Sequence, residues 1–96
     1  MITKEEILIA LARDKPELER RYKVRKLALF GSYARGDQLP DSDVDILVEV
    51  EPSIGLEFVT LAERIEELLG LGVDLVSSRA VTPRAMEFIE QELIYV

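Results

Sequence analysis

The spacing of apolar residues switches between a helical and an extended period along this chain, and each switch coincides with a residue type that starts or stops an element. Thr3 and Glu6 have the spacing of a capping box, and Ile2 and Ile7 that of a hydrophobic staple, which predicts a helix from about Lys4 with Ile7, Leu8, Leu11 and Ala12 facing inward. Pro16 suits a first turn better than a helix interior, so a break is expected near Asp14, with a second helical segment to about Tyr22. From Val24 to Phe30 the run becomes apolar on both alternating faces, as in a central strand covered on both sides. Gly31 ends it, and Tyr33 to Arg35 read as one helical turn stopped by Gly36. After a polar loop around Pro40, strict alternation returns from Asp43 to Val50. Val44, Ile46, Val48 and Val50 share one face; Asp43, Asp45, Leu47 and Glu49 share the other.

Beyond a turn over residues 52–55, Phe58, Leu61, Ala62, Ile65, Leu68 and Leu69 recur at helical spacing, with Gly70 and Gly72 closing the helix. A short strand from Val73 to Val76 follows. Thr82 and Pro83 then read as N-cap and first residue of a last helix, with Met86, Ile89 and Leu93 inward, and Ile94 to Val96 as a short strand. The order helix, strand, strand, helix, strand, helix predicts an α/β (α+β) class: a small mixed sheet flanked by helices. The link between the first two strands is too short for a crossover helix, so those strands are expected to be antiparallel.

Composition narrows the function. Ninety-six residues suggest one small domain over residues 1–96, with little room for a separate substrate lobe. A formal charge of −7 disfavours direct nucleic-acid binding, which needs a basic surface, and favours a cationic ligand or a basic protein partner. The basic cluster Arg20, Arg21, Lys23, Arg25 and Lys26 reads first as a solvated helix end and strand entry. No run is long and apolar enough to span a bilayer and no leader pattern opens the chain, so a soluble, cytoplasmic protein is the expectation. With no Cys and no His, thiol nucleophiles, imidazole bases and the usual zinc ligands are excluded. A metal held here is a hard, oxygen-bound one: magnesium, manganese or calcium.

The candidate chemistry lies between Leu27 and Val50, where an apolar run ends in Gly31-Ser32 and two aspartates open the next run. Two carboxylates about 5 Å apart on one strand face repel by about 3 kcal/mol at an effective dielectric of 20. Solvation of a strand end answers that repulsion, and so does a divalent cation; the Asp43-x-Asp45 pair alone favours the first. Gly31 to Gly36 has the outer glycines of a Walker loop, but Asp37 and Gln38 stand where Lys and Ser or Thr are required. Asp41, Asp43 and Asp45 match the first calcium ligands of an EF-hand, but Ile46 and Pro52 replace its glycine and its glutamate. An Asp-x-Asp sugar-transferase site fits by motif, although the chain is short for the fold expected around one.

Gly31-Ser32, a ten-residue spacer, Asp43-Val-Asp45-Ile, and then Val73-Asp74-Leu75 together resemble the signature of the DNA polymerase beta nucleotidyltransferase superfamily. More closely, GSYARG followed by DSDVDILV resembles the minimal nucleotidyltransferases (MNT), antitoxin partners of HEPN-domain toxins. The resemblance spans nearly the whole chain and implies a polymerase beta-like fold. It assigns Asp43, Asp45 and Asp74 to catalysis and to magnesium (or manganese) ions. It places Gly31, Ser32 and Arg35 at the triphosphate of ATP, with Ser42 orienting the loop. The implied reaction is transfer of AMP from ATP to a tyrosine of a HEPN ribonuclease toxin, which silences it. Two alternatives stay open: an antitoxin that neutralises its toxin by covering it, and a nucleotidyltransferase acting on a small molecule.

Overall fold

A computed structural model describes residues 2–96 of the chain. The first helix, α1 (Lys4–Tyr22), begins at the expected capping box: Thr3 Oγ1 accepts from the Glu6 N–H and Glu6 Oε1 from the Thr3 N–H, both at 3.1 Å. It runs without interruption through Pro16, contrary to the expected break near Asp14. The proline removes one helical hydrogen bond, from the carbonyl of Ala12. Both Pro16 and Ala12 lie on the exposed side, where water can satisfy that carbonyl. Buried Ile7, Leu11, Leu18 and Tyr22 hold the two halves of the helix against one surface. Packing therefore overrides the local preference, and Ala12, expected inward, faces solvent.

Strands β1 (Val24–Phe30) and β2 (Val44–Val50) pair antiparallel, as expected from a link with no room for a full crossover helix. Helix α3 (Glu57–Leu69) then crosses over and returns the chain as β3 (Val73–Ser77), parallel to β2 on its other side. After α4 (Pro83–Ile89), capped by Thr82, the strand β4 (Ile94–Tyr95) adds antiparallel to β1. The sheet order is β3-β2-β1-β4, a mixed sheet of the expected class. Short 3-10 turns at Pro52–Ile54 and Ser78–Ala80 flank the β2–α3 and β3–α4 connections.

One face of this sheet carries the core. Val44, Ile46 and Val48 of β2 and Leu29 of β1 are fully buried there with Ile7, Leu11 and Leu18 of α1 and Leu61 and Ile65 of α3. Burial of a side chain of this size contributes about 1.5–3 kcal/mol, so this layer supplies the driving force for the fold. Because side chains alternate along a strand, burying Val44, Ile46 and Val48 obliges Asp45, Leu47 and Glu49 to face the other way. The core thus fixes the direction of the candidate chemistry. Among the described residues, no helix is long and apolar enough to cross a membrane.

Candidate active site

The site forms at one end of the sheet, where three chain segments meet. In the parallel pairing of β2 with β3, Asp45 lies directly opposite Asp74, so the two Cα atoms stand about 4.8 Å apart with side chains on the same face. In the antiparallel pairing of β2 with β1, Asp45 lies opposite Phe30, which delivers Gly31 to the same point. Asp43 sits one residue before β2 rather than inside it and is exposed. The Val44 N–H donates to the Gly72 carbonyl at 2.9 Å, which anchors Asp43 beside the start of β3. The aspartates from β2 and β3 thus meet on one face.

Two glycines lie hard against these carboxylates. A Cβ on Gly31 would stand 2.0 Å from Asp45 Oδ2, and one on Gly72 would stand 2.5 Å from Asp43 Oδ1. Gly31 also has φ 78° and ψ −156°, a conformation open essentially to glycine alone. Gly31 was expected as the end of the strand and, by resemblance, as the phosphate turn; its packing on Asp45 is a tertiary fact with no local signal. The sequence pattern marks Gly72 as the close of a helix before a short strand, with no sign of its contact with Asp43. Its φ is one that other residues adopt, so Gly72→Ala is expected to cost little stability while displacing Asp43. Calorimetric titration with magnesium should show weaker binding than the parent, with an unfolding midpoint in urea shifted by about 1 kcal/mol or less.

Ser32 begins α2 (Ser32–Arg35), a single helical turn that ends at Gly36 with φ 84°. Buried Tyr33 and Ala34 fasten this turn to the core. Four residues build little macrodipole, so any pull on an anion comes from individual N–H groups and from Arg35, rather than from the helix as a whole. Ser42 lies outside this cluster of donors. Its hydroxyl accepts from the Leu39 N–H at 2.9 Å and its own N–H donates to the Leu39 carbonyl at 3.0 Å, closing the turn that leads into Asp43.

Arg35 is engaged by two carboxylates: Nη1 donates to Glu92 Oε2 at 2.8 Å and Nε to Asp37 Oδ2 at 3.1 Å. These bonds, Glu92 first and Asp37 second, raise the guanidinium pKa further. Glu92 also accepts from the Gly31 N–H through Oε1 at 3.0 Å. No periodicity or motif singles out Glu92; only the return of the chain through β4 brings it to residue 31. Asp45 has its carboxyl raised above the ordinary aspartate range, first by partial burial, then by Asp74 and Asp43, with Arg35 opposing and Glu92 adding. The site thus concentrates negative charge on a partly desolvated spot.

Asp43, Asp45 and Asp74 offer only carboxylate oxygens, the donor type that a hard divalent cation takes, and the negative crowding on Asp45 is of the kind that a cation relieves. Among the described residues, no three carboxylates, thiols or imidazoles converge closely enough to enclose an ion by themselves.

A family model described as a nucleotidyltransferase domain matches residues 12–96. The chain is 46% identical to the protein adenylyltransferase MntA of Thermococcus cleftensis, over 100% of this chain and 98% of that protein. Its fold superposes on a structure described provisionally as a minimal nucleotidyltransferase with a TM-score of 0.81 and 36% identity, covering 97% and 95% of the two chains. A toxin–antitoxin complex crystallised with AMP-PNP matches at TM-score 0.68 and 25% identity, over 98% of this chain and 72% of that one. A tri-AMPylated HEPN toxin of Shewanella oneidensis in complex with its MNT antitoxin shares the fold at TM-score 0.59 and 22% identity, over 96% and 66%.

Proposed function

The chain belongs to the nucleotidyltransferase family, and on that footing we propose that it is an antitoxin that transfers AMP from ATP to a tyrosine hydroxyl of a paired HEPN toxin. The observation that carries this reading is the register of Asp45 against Asp74, with the Gly31 backbone packed on the Asp45 carboxylate. Support for the nucleotide comes from the AMP-PNP held by a similar toxin–antitoxin complex, and support for the acceptor from the AMPylated toxin of the Shewanella pair. An ATP-consuming reaction of this kind belongs in the cytoplasm.

In this assignment Asp43, Asp45 and Asp74 hold magnesium or manganese, which when bound neutralises charge on the phosphate oxygens and favours the ionised acceptor hydroxyl. Gly31 and Ser32 present backbone N–H groups and a hydroxyl to the triphosphate. Arg35 supplies a positive charge beside them, and Ser42 holds the loop from which Asp43 projects. The tyrosine oxygen forms a bond to the α-phosphorus and the bond to the bridging oxygen breaks. Pyrophosphate departs, and the phenolic proton passes to water. No histidine is required, because in-line placement and charge stabilisation carry such a displacement.

In this reading the docked partner positions the acceptor. Incubation with the genomically paired toxin, ATP and magnesium is expected to add one or more AMP groups to that partner, read by intact-mass spectrometry and mapped to tyrosine by fragmentation. An unmodified partner within a tight complex would overturn the transferase reading in favour of neutralisation by covering alone.

A further inference from the structure

Glu92 occupies the place that a phosphate oxyanion is assigned above. It sits in the turn between α4 and β4, three-quarters shielded from solvent. It uses both carboxylate oxygens: Oε1 on the Gly31 N–H at 3.0 Å and Oε2 on Arg35 Nη1 at 2.8 Å. A backbone N–H and a guanidinium converging on one anion make a charge-assisted pair of the sort that binds phosphate. The surroundings make a carboxylate an unexpected tenant, since Asp45 lies against Gly31 and is itself flanked by Asp74 and Asp43. A group needed only to fasten the turn could be neutral; a fourth negative charge beside three others is a cost that Arg35, shared with Asp37, only partly offsets.

We propose that Glu92 is the resident anion of the nucleotide pocket, holding the Gly31 N–H and Arg35 until an incoming polyphosphate displaces it. The proposal rests on the reading of the Gly31 turn as the phosphate site. Two consequences follow from the geometry. Nucleotide affinity is set by competition with an internal carboxylate, so the pocket discriminates against weak anions and opens to a multiply charged phosphate accompanied by its cation. Polyphosphate binding is also felt at the α4–β4 turn, because the displaced side chain belongs to the segment that feeds β4 onto β1. Glu92 is thus a positioning residue for the donors of the pocket and makes no contact with the transferred group.

The test is calorimetric titration of the parent and of Glu92→Gln with inorganic tripolyphosphate and with ATP, each in excess magnesium. Glutamine keeps an acceptor for the Gly31 N–H and nearly the same shape, but removes the charge. A unit charge removed from about 6 Å of a phosphate at an effective dielectric of 40 corresponds to about tenfold, so Glu92→Gln is expected to bind tripolyphosphate about tenfold more tightly than the parent. A parent that binds and a variant that binds equally or more weakly would overturn the role of Glu92 while leaving the phosphate site standing. Absence of binding in both would remove the phosphate site and this proposal with it. Hydrogen exchange on the parent guards against a variant that fails to fold. Tripolyphosphate with magnesium is expected to speed exchange at the amides of Gln91 and Glu92, which donate to Phe88 and Ile89, by about threefold or more while Gly31 stays protected. Unchanged exchange at 91 and 92 with ligand bound would equally overturn it.

Discussion

Asp45→Asn is expected to abolish nucleotidyl transfer and, in the same protein, to raise the melting temperature of the metal-free state at neutral pH. The two effects have one cause. Partial burial, Asp74 and Asp43 raise the Asp45 carboxyl above its ordinary range, so ionising it costs more in the folded chain than in the unfolded one. The sign follows from proton linkage. A raised acid binds more protons folded than unfolded in the window from the ordinary aspartate pKa up to the raised value. Stability therefore falls as pH rises through that window, and above it the deficit is complete. Asparagine is neutral throughout, so its advantage grows as pH rises above the ordinary aspartate pKa and largely disappears at a pH of about 3, where the carboxyl is mostly protonated in both the folded and the unfolded chain. The carboxylate is only half-buried, so solvent screening holds the gain to about 1 kcal/mol or less. In a chain of this length that amounts to at most about 4–8 °C, measurable by scanning calorimetry at the two pH values. Transfer should fall by at least about 10³-fold, because a cation held by this carboxylate is worth several kcal/mol to the displacement. An Asp45→Asn protein that melts below the parent at neutral pH would show that Arg35 outweighs the crowding of Asp74 and Asp43.

Gly31→Val is expected to lose both stability and nucleotide binding, and the reasons can be separated. The φ of 78° strains any residue with a Cβ by about 1–3 kcal/mol. The Cβ itself would collide with Asp45 Oδ2, so either the strand end or the carboxylate must move. Together these predict about 2–4 kcal/mol in urea unfolding, with nucleotide affinity reduced more than tenfold in the fraction that remains folded. Ser32→Ala should be milder on both counts, since its backbone N–H stays. A double-mutant cycle distinguishes strain from collision. In an Asp45→Ala background the nearest carboxylate atoms are gone, and Gly31→Ala should cost about 1 kcal/mol less than it does in the parent. Equal costs in the two backgrounds would assign the effect to φ together with the Asp45 Cβ, which alanine keeps and which would stand 3.0 Å away.

Much of the architecture was legible because it depends on local signals. Thr3 with Glu6, Thr82 with Pro83, and Gly36 each mark an end through a specific hydrogen bond or a specific dihedral, and each stands where expected. The alternation from Val44 to Val50 is equally local: it states which side chains are apolar, and the core takes that side. The break expected at Pro16 failed because that signal concerns one hydrogen bond. Four buried side chains spread along the same helix outweigh it once they share a surface.

The cast of the candidate site is written in the chain: no imidazole, no thiol, two aspartates one residue apart at the start of a strand, a third in a later strand, and a Gly-Ser turn at the end of another. The sequence also favours an antiparallel pairing of the first two strands, since their link has no room for a full crossover helix. Which of these residues meet follows from long-range packing. That Asp45 stands opposite Asp74 depends on the register of two strands separated by a whole helix, and register across a crossover is set by packing of the shared core rather than by any residue in the loop. That Gly31 and Gly72 lie hard against carboxylates depends on where Asp45 and Asp43 come to rest. And Glu92 reaches Gly31 from 61 residues away because β4 closes onto β1, a long-range pairing for which the composition of the last turn carries no mark.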